Sequence, residues 1–154
     1  MDYEITYNTQ SIIPIDDFTT KVIDDGNNFL VNANSMSVIE RSCEYYGSSY
    51  EGRKIGTKSL LGITHKSPII IEESSRIIFF PTKSPNRDDC VWLNLNQIQK
   101  YYGLDGKTSR IIFKNGTSLD LNISIASLTN QILRSSRLKF VLEERQDTKK
   151  DINF

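Results

Sequence analysis

The chain has 154 residues and no formal net charge, and 38% of its residues are hydrophobic, which is enough for one folded core and argues against a wholly disordered chain. No apolar run reaches the roughly 18 residues of a membrane span, and the acidic N-terminus lacks an apolar stretch, so we expect neither a membrane helix nor a secretory signal. Two cysteines and one histidine are too few for a disulfide scaffold or a complete metal site. We therefore expect a reduced, cytoplasmic protein without metal or cofactor.

Short strands are predicted for the first part of the chain. Tyr3, Ile5 and Tyr7 alternate with polar residues, and further isoleucines follow on both sides of Pro14. The segment 24–28 consists of Asp, Gly and Asn and lies between two apolar runs. Because Gly and Asn tolerate a positive φ, this segment predicts a tight hairpin.

Two helices are predicted next. The segment 37–40 begins with Ser and ends with Glu, which is the spacing of a capping box, and it predicts a helix of about ten residues that ends near Gly47. A second helix is expected over 48–61. It contains Gly52 and Gly56, which each cost about 1 kcal/mol in a helix interior. Close approach of another backbone or of a ligand would explain them.

The rest of the chain predicts more hairpins and a final helix. Apolar runs at 69–71 and 77–80 flank a polar turn, and 91–95 predicts another strand, which 98–102 either extends or follows as a short helix. Asn-Gly at 115–116 lies between apolar runs and is the strongest hairpin signal in the sequence.

The C-terminal part has helical periodicity. Apolar residues recur at helical spacing from Ile125 to Phe140, with Ser124 or Ser127 as N-cap, and they predict a helix over about 125–143. We expect a single α+β domain over 1–145, made mainly of antiparallel strands and hairpins with one or two central helices and a C-terminal helix. A polar tail over 146–154 is expected to fray.

The charge is unevenly distributed along the chain. Residues 1–51 hold two basic and nine acidic side chains, a net charge of −7, whereas residues 52–154 hold seventeen basic and ten acidic ones, a net charge of +7. Segment 52–71 has no acidic residue and four basic ones, Arg53, Lys54, Lys58 and Lys66. This asymmetry predicts a polyanion-binding face, unless the acidic third folds against the basic part and neutralises it.

The residues give little support to catalysis. Cys43 and His65 would form a nucleophile–base pair only if the fold joined them, and Cys43 lies in a predicted helix, where cysteine usually packs as a small hydrophobe. Cys90 precedes an apolar run and is expected to pack likewise. These three residues match no zinc motif, and the glycine-rich segment 47–57 is not a P-loop. We therefore expect that the protein is not an enzyme. The basic helix start within 47–57 either binds a DNA phosphate or is simply an exposed turn.

Two motifs resemble the ComK family of competence transcription factors. Residues 41–57 read RSCEYYGSSYEGRKIGT and resemble the signature segment of that family. Residues 63–69 read ITHKSPI, where the family shows an I-S-H-K-x-P-I pattern. The likeness covers roughly residues 38–140 in one register, with further matches at 80–87, 90–92 and 113–121.

This resemblance implies a DNA-binding activator of late competence genes, located in the cytoplasm at the nucleoid. Family members recognise paired A/T-rich boxes of double-stranded DNA, largely through the minor groove, as dimers that pair into tetramers. A narrow A/T-rich minor groove is strongly negative and attracts basic side chains. From charge and motif we expect the DNA-binding residues to be Arg53 and Lys54 first, then Lys58, His65, Lys66, Lys83 and Arg87, with Ser49 and Tyr50 in support.

Longer ComK proteins carry a C-terminal extension that is associated with an adaptor, which delivers them to a Clp protease. The present sequence ends at Phe154, so we expect that control to be altered.

Three other interpretations stay open at this stage. A regulatory paralogue that forms mixed oligomers without binding DNA is one alternative. Segments 91–98 and 111–119 also look like LytTR-type domains, whose loops, here 83–89 and 105–109, enter the major groove. A helix-turn-helix over 37–61 is disfavoured by the glycines in its second helix.

Overall fold

The computed structural model describes residues 3–152, and these residues form two antiparallel sheets and three α-helices. The large sheet has the strand order β3-β2-β1-β6-β5-β4. Its strands are β1 (Thr9–Asp16), β2 (Thr19–Asp24), β3 (Asn27–Val31), β4 (Ile69–Glu72), β5 (Ile77–Pro81) and β6 (Trp92–Asn94). The small sheet has the order β7-β8-β9, with strands β7 (Ile98–Gly103), β8 (Ser109–Phe113) and β9 (Ser118–Leu121). The helices are α1 (Ser35–Tyr45), α2 (Tyr50–Leu61) and α3 (Ile125–Ile152).

The large sheet is covered on both faces, because neighbouring side chains along a strand point to opposite sides. On β5, Phe79 packs in a core that includes Val38 of α1, whereas Phe80 packs in a second core with Ile111 of β8 and Leu128 of α3. All five side chains are fully buried. The helices α1 and α2 therefore lie on one face, and the small sheet with α3 lies on the other.

The expected fold class is confirmed, and so are the hairpins. The β2–β3 turn contains Gly26 at φ 82°, and the β8–β9 turn contains Gly116 at φ 89°, the left-handed conformation that a side chain disfavours. The segment 98–102, for which strand and helix were both open, forms strand β7. A short 3₁₀ turn, Leu95–Gln97, separates it from β6 and lets it enter the second sheet.

The strand expected over 3–7 is wrong. This segment forms no ladder, because α1 satisfies its backbone groups instead. The amide of Ile5 donates to Ser42 Oγ at 3.0 Å, and the hydroxyl of Tyr46 donates to the carbonyl of Ile5 at 2.7 Å. With its side chain fully buried, Ile5 anchors the N-terminal segment on the helix.

Two helix ends also differ from expectation. The cap of α1 is Asn34, whose Oδ1 accepts from the amide of Ser37 at 2.8 Å, so the capping box expected at 37–40 is wrong. Helix α3 is capped by Ser124, as expected, but continues to Ile152, so segment 146–152, expected to fray, is helical. Residues 153 and 154 of that predicted tail lie outside the described residues.

Contacts with the β4–β5 turn support the longer α3. Glu143 lies 3.7 Å from the guanidinium of Arg76, and the side chain of Gln146 donates to the carbonyl of Glu73 at 3.2 Å. One turn earlier, Leu142 is buried against β4 and β5. These tertiary contacts hold the polar end of α3 in place, although that part of the helix has no apolar periodicity.

Candidate nucleic-acid interface

Helix α2 carries the first group of candidate residues, and its ends are well defined. Ser49 is its N-cap, because its Oγ accepts from the amide of Gly52 at 3.0 Å. Gly62 ends the helix at φ 73°. At Gly56 an added Cβ would meet no atom within 4 Å, so packing within this chain does not explain that glycine. Ser49 thus acts first as a cap, and Gly56 leaves the outer face of α2 flat.

A concave surface joins α2 to two loops. It is lined by Tyr50 and Lys54 of α2, by His65 and Lys66 of the loop after α2, and by Asn86 of the β5–β6 loop. We call this surface the α2 groove. Four of the nine candidate residues therefore lie together, although 16 positions separate Tyr50 from Lys66 in the sequence. The carboxylates of Glu40 and Glu51 also line the α2 groove, so its lining carries two lysines and two carboxylates and no formal net charge.

Helix α3 holds the loop that carries His65 and Lys66. The side-chain amide of Gln131 donates to the carbonyl of Lys66 at 2.9 Å and to the carbonyl of Pro81 at 2.7 Å. The guanidinium of Arg134 donates to the carbonyl of His65 at 2.6 Å. Lys66 itself has a φ of 47°, a left-handed conformation that costs a non-glycine residue about 1 kcal/mol and that these bonds help to maintain.

Sequence reasoning missed Gln131 and Arg134 as parts of this site. Gln131 is fully buried, and Ser135, one turn later, is fully buried as well. The signal in the sequence was the pair Gln131 and Ser135, two polar residues four positions apart that lie beside the apolar stripe of the predicted helix. Such a pair indicates that the helix contacts polar backbone groups and not only a core.

Aromatic packing fixes the position of Lys54. Its Nζ lies 5.8 Å from the centre of the Tyr50 ring, a cation–π distance. The Tyr50 ring in turn packs edge-on against the buried Trp92, with ring centres 6.3 Å apart. Burial raises the pKa of Tyr50 to about 12, so its hydroxyl stays neutral at physiological pH. Tyr50 therefore supports Lys54 from below as a rigid, uncharged platform.

Lys58 extends the basic surface along α2. It lies one helical turn after Lys54 and is exposed, next to Ile55, whose side chain is 65% exposed. Among the described residues, Lys54, Lys58 and Lys66 form no salt bridge with a carboxylate. These three ammonium groups are consequently available to an external anion.

Arg53 has a different environment. Its Nη1 lies 2.7 Å from Oε1 of Glu73 in the β4–β5 turn, and only 14% of its side chain is exposed. Its Nε is buried without a hydrogen-bond partner. Arg53 lines a separate concavity with Ser48 and Glu72, outside the α2 groove. The structure therefore does not bring Arg53 together with its sequence neighbour Lys54.

Lys83 and Arg87 share one carboxylate. Asp89 accepts from the Lys83 ammonium at 2.8 Å and from the Arg87 guanidinium at 2.8 and 3.0 Å. Hydrogen bonds from Arg87 first, then from Lys83, hold the pKa of Asp89 well below its usual range. Arg87 lines a concavity other than the α2 groove, together with Asp16, Asp17 and Asp88, so this loop adds no net positive charge to the α2 groove.

The two cysteines pack as the sequence indicated. Cys43 is fully buried and Cys90 is 2% exposed, and burial raises the pKa of each thiol to about 11. Both thiols are therefore neutral at physiological pH, whereas His65 is exposed at the surface. Among the side chains of residues 3–148, which the structure describes, no cluster of three His, Cys, Asp or Glu is placed to hold a metal ion, and no described helix is long and apolar enough to cross a membrane.

Comparison with known proteins decides the family. The family model described as ComK protein matches residues 1–147. The chain belongs to the ComK family. A relative from Bacillus subtilis (strain 168), named competence transcription factor, is 34% identical over 148 residues, which cover 94% of this chain and 77% of the relative. No solved structure matches the chain. The resemblance is thus confirmed, and it extends beyond 38–140 to almost the whole sequence.

The α2 groove unites the two ComK motifs. Segment 41–57 supplies Tyr50 and Lys54, and segment 63–69 supplies His65 and Lys66. The turn at Gly62 and the bonds from α3 bring the second motif back against the first. Residues from both motifs on which the ComK resemblance depends therefore line one surface in the fold, whereas Arg53 and Cys43 of the first motif lie elsewhere.

Proposed function

We propose that the protein is a DNA-binding transcription activator of competence genes that recognises paired A/T-rich boxes mainly through the minor groove. The observation that carries this proposal is the convergence of residues from both ComK motifs, 41–57 and 63–69, on the α2 groove, where Lys54 and Lys66 have no salt-bridge partner among the described residues. The name of the Bacillus subtilis relative, competence transcription factor, supports the class of activity.

The basic side chains supply affinity through the DNA backbone. Each phosphate that a lysine neutralises releases about one counterion, and the logarithm of the binding constant falls by roughly 0.9 per contact for each decade of salt. Lys54, Lys58 and Lys66 are the first candidates, because none of them is paired within the described part of the chain. Three such contacts from each of two copies predict a salt slope of about −5.

Groove reading is assigned to His65, which lines the α2 groove, and to Arg87, which lines a neighbouring concavity with Asp16, Asp17 and Asp88. His65 is exposed, and Arg87 is 59% exposed in its side chain, so both reach beyond the backbone contacts. Before binding, the hydrogen bond to Asp89 holds the guanidinium of Arg87 in one geometry. On binding, Arg87 must exchange Asp89 for DNA. Arg53, by contrast, is proposed to position α2 against the β4–β5 turn.

We also propose that the protein binds as a homo-oligomer at the nucleoid. Paired boxes require two reading surfaces at a fixed spacing, which a symmetric dimer supplies. Dimers that pair into tetramers would then occupy successive boxes.

A competition between base substitutions tests the mode of reading. Inosine–cytosine pairs present the minor groove of A·T, since inosine lacks the guanine amino group, but they present the major groove of G·C. We expect a duplex with I·C in both boxes to bind as well as the A/T duplex and a G·C duplex to bind far more weakly, measured by fluorescence anisotropy over a salt series. Loss of binding with I·C would favour the LytTR-like reading through the major groove, with the loops 83–89 and 105–109 as its candidates.

A matched pair of variants tests the site. Lys66→Ala should reduce the magnitude of the salt slope by about 2, because one contact is lost from each of two copies, whereas Lys100→Ala, on the exposed strand β7 of the small sheet, should leave the slope unchanged. No DNA binding by the wild-type protein, together with a mass that changes only when a related subunit is added, would support the alternative of a regulatory paralogue that forms mixed oligomers.

A further inference from the structure

Strand β3 is an open edge of the large sheet. It pairs with β2 on one side, and no other strand of residues 3–152 lies on its second side. The five residues of β3, Asn-Asn-Phe-Leu-Val, include no charge and no proline. Proteins usually protect sheet edges from pairing with another chain by placing lysine, proline or a bulge there. In β3 the backbone donors and acceptors are left free for a further strand.

Exposed apolar side chains surround this edge. Leu30 of β3 is 65% exposed, and Phe18, in the β1–β2 turn, is 79% exposed. The strand registers place Ile13, Lys21 and Leu30 in one row across β1, β2 and β3, on the opposite face from the helices. Ile15, two residues along β1, is 54% exposed. Clustered exposure of this kind at an open edge is typical of an interaction surface.

The charges at the two ends of β3 differ. Asp25 lies in the β2–β3 turn before β3, whereas the end after β3 carries Arg41 of α1 together with Asp17 of the β1–β2 turn, which line one concavity with Asn32. Neither Asp25 nor Arg41 forms a salt bridge within the described residues. If a second β3 is added antiparallel, the start of one strand meets the end of the other. The acidic turn of each copy then faces the arginine of its partner, twice by symmetry.

We propose that β3 pairs antiparallel with β3 of a second copy, which joins the two large sheets into one and buries Leu30 and Phe18. This inference rests on the proposed self-association and assigns it to a surface. An isologous contact through a single edge closes after two copies. It lies on the acidic third of the chain and leaves the α2 groove of each copy open to DNA.

The first test measures molecular mass by sedimentation equilibrium without DNA, over a concentration series. Leu30→Lys places a charge on the exposed edge and should weaken association at least about ten-fold with little change in thermal stability. Leu133→Lys, on the outer face of α3, is the matched control because Leu133 is 61% exposed. Association that is lost in Leu133→Lys and kept in Leu30→Lys would overturn the β3 interface. A wild-type monomer at all concentrations would overturn self-association as well.

The second test is a charge swap. Asp25→Lys and Arg41→Glu should each weaken association about three- to ten-fold, because each places like charges across the contact, and the double variant should restore it. Additive weakening in the double variant would overturn the antiparallel arrangement. DNA binding to a single A/T box is measured in parallel, so a failure of DNA recognition is distinguishable from a failure of the interface.

Discussion

Arg53 and Lys54 are neighbours in the sequence, but their replacement should affect different properties. Arg53→Ala should lower the stability of the fold, whereas Lys54→Ala should weaken DNA binding. Arg53→Ala removes the Cγ and Cδ methylenes of a side chain that is only 14% exposed, at about 0.8 kcal/mol each. It also removes the ion pair with Glu73, which contributes about 1 kcal/mol because Glu73 is 58% exposed and stays hydrated. The buried Nε of Arg53 has no hydrogen-bond partner, so its removal relieves a desolvation cost and offsets part of this loss of stability. We expect the free energy of unfolding to fall by about 2 kcal/mol and Tm by about 4–8 °C.

Lys54→Ala should instead affect binding. Its ammonium lies over the face of Tyr50 and forms no salt bridge among the described residues, so we expect the free energy of unfolding to change by less than about 1 kcal/mol. Affinity for the A/T duplex should fall about three- to ten-fold, and the magnitude of the salt slope should fall by about 2, because one contact is lost from each of two copies.

Thermal unfolding by circular dichroism and anisotropy titration at 25 °C measure both quantities on the same samples. At that temperature Arg53→Ala remains folded, so its affinity should stay within about two-fold of wild type. A ten-fold loss of DNA affinity in Arg53→Ala without a change in Tm would refute this reasoning and return Arg53 to the DNA contacts.

Three further predictions concern the frame of the site. Gln131→Leu should lower the free energy of unfolding by about 2–3 kcal/mol in urea titration, because it removes the side-chain donor to the buried carbonyl of Pro81 and one of two donors to the partly buried carbonyl of Lys66. Gly62→Ala should cost about 1 kcal/mol at its φ of 73°, whereas Gly56→Ala should stabilise α2 by up to about 1 kcal/mol; equal signs would contradict the cap assignment. Cys43, with a pKa of about 11, should react with a thiol reagent at pH 8 only as fast as the protein unfolds. Burial favours the neutral form of the Cys43 thiol in the folded state. The contribution of this thiol to the stability of the fold should therefore decrease as the pH rises above about 8.5, the ordinary pKa of a thiol.

Local rules predicted the parts of the fold that depend on a few neighbouring residues. The Asn-Gly turn at 115–116 and the helix end near Gly47 are examples, because a left-handed residue is needed wherever the chain reverses tightly. The capping box at 37–40 failed because Asn34, three residues earlier, satisfies the same amide of Ser37. Several caps compete at a helix start, and spacing alone does not rank them.

The site was only partly predictable, because its support comes from distant residues. The motifs indicated Tyr50, Lys54, His65 and Lys66, and the fold brings them together. The bond between Gln131 and Lys66 joins residues 65 positions apart, and no local pattern encodes it. The pairing of Arg53 with Glu73 likewise depends on where the β4–β5 turn folds back. Charge counting treats every arginine as available and does not detect such a partner.

The strand order of the large sheet has a consequence for synthesis of the protein. Strands β1 to β3 are contiguous in the chain, and so are β4 to β6, but the two halves join where β1 pairs with β6, at the level where Asn94 donates to the carbonyl of Thr9, 85 positions away. At about 5–20 residues per second, the ribosome needs roughly 4–17 s to produce the partner of β1. During that interval the nascent N-terminal meander has two open edges instead of one. Conditions that slow elongation between residues 31 and 94 should therefore increase misassembly of this chain more than delays after Asn94.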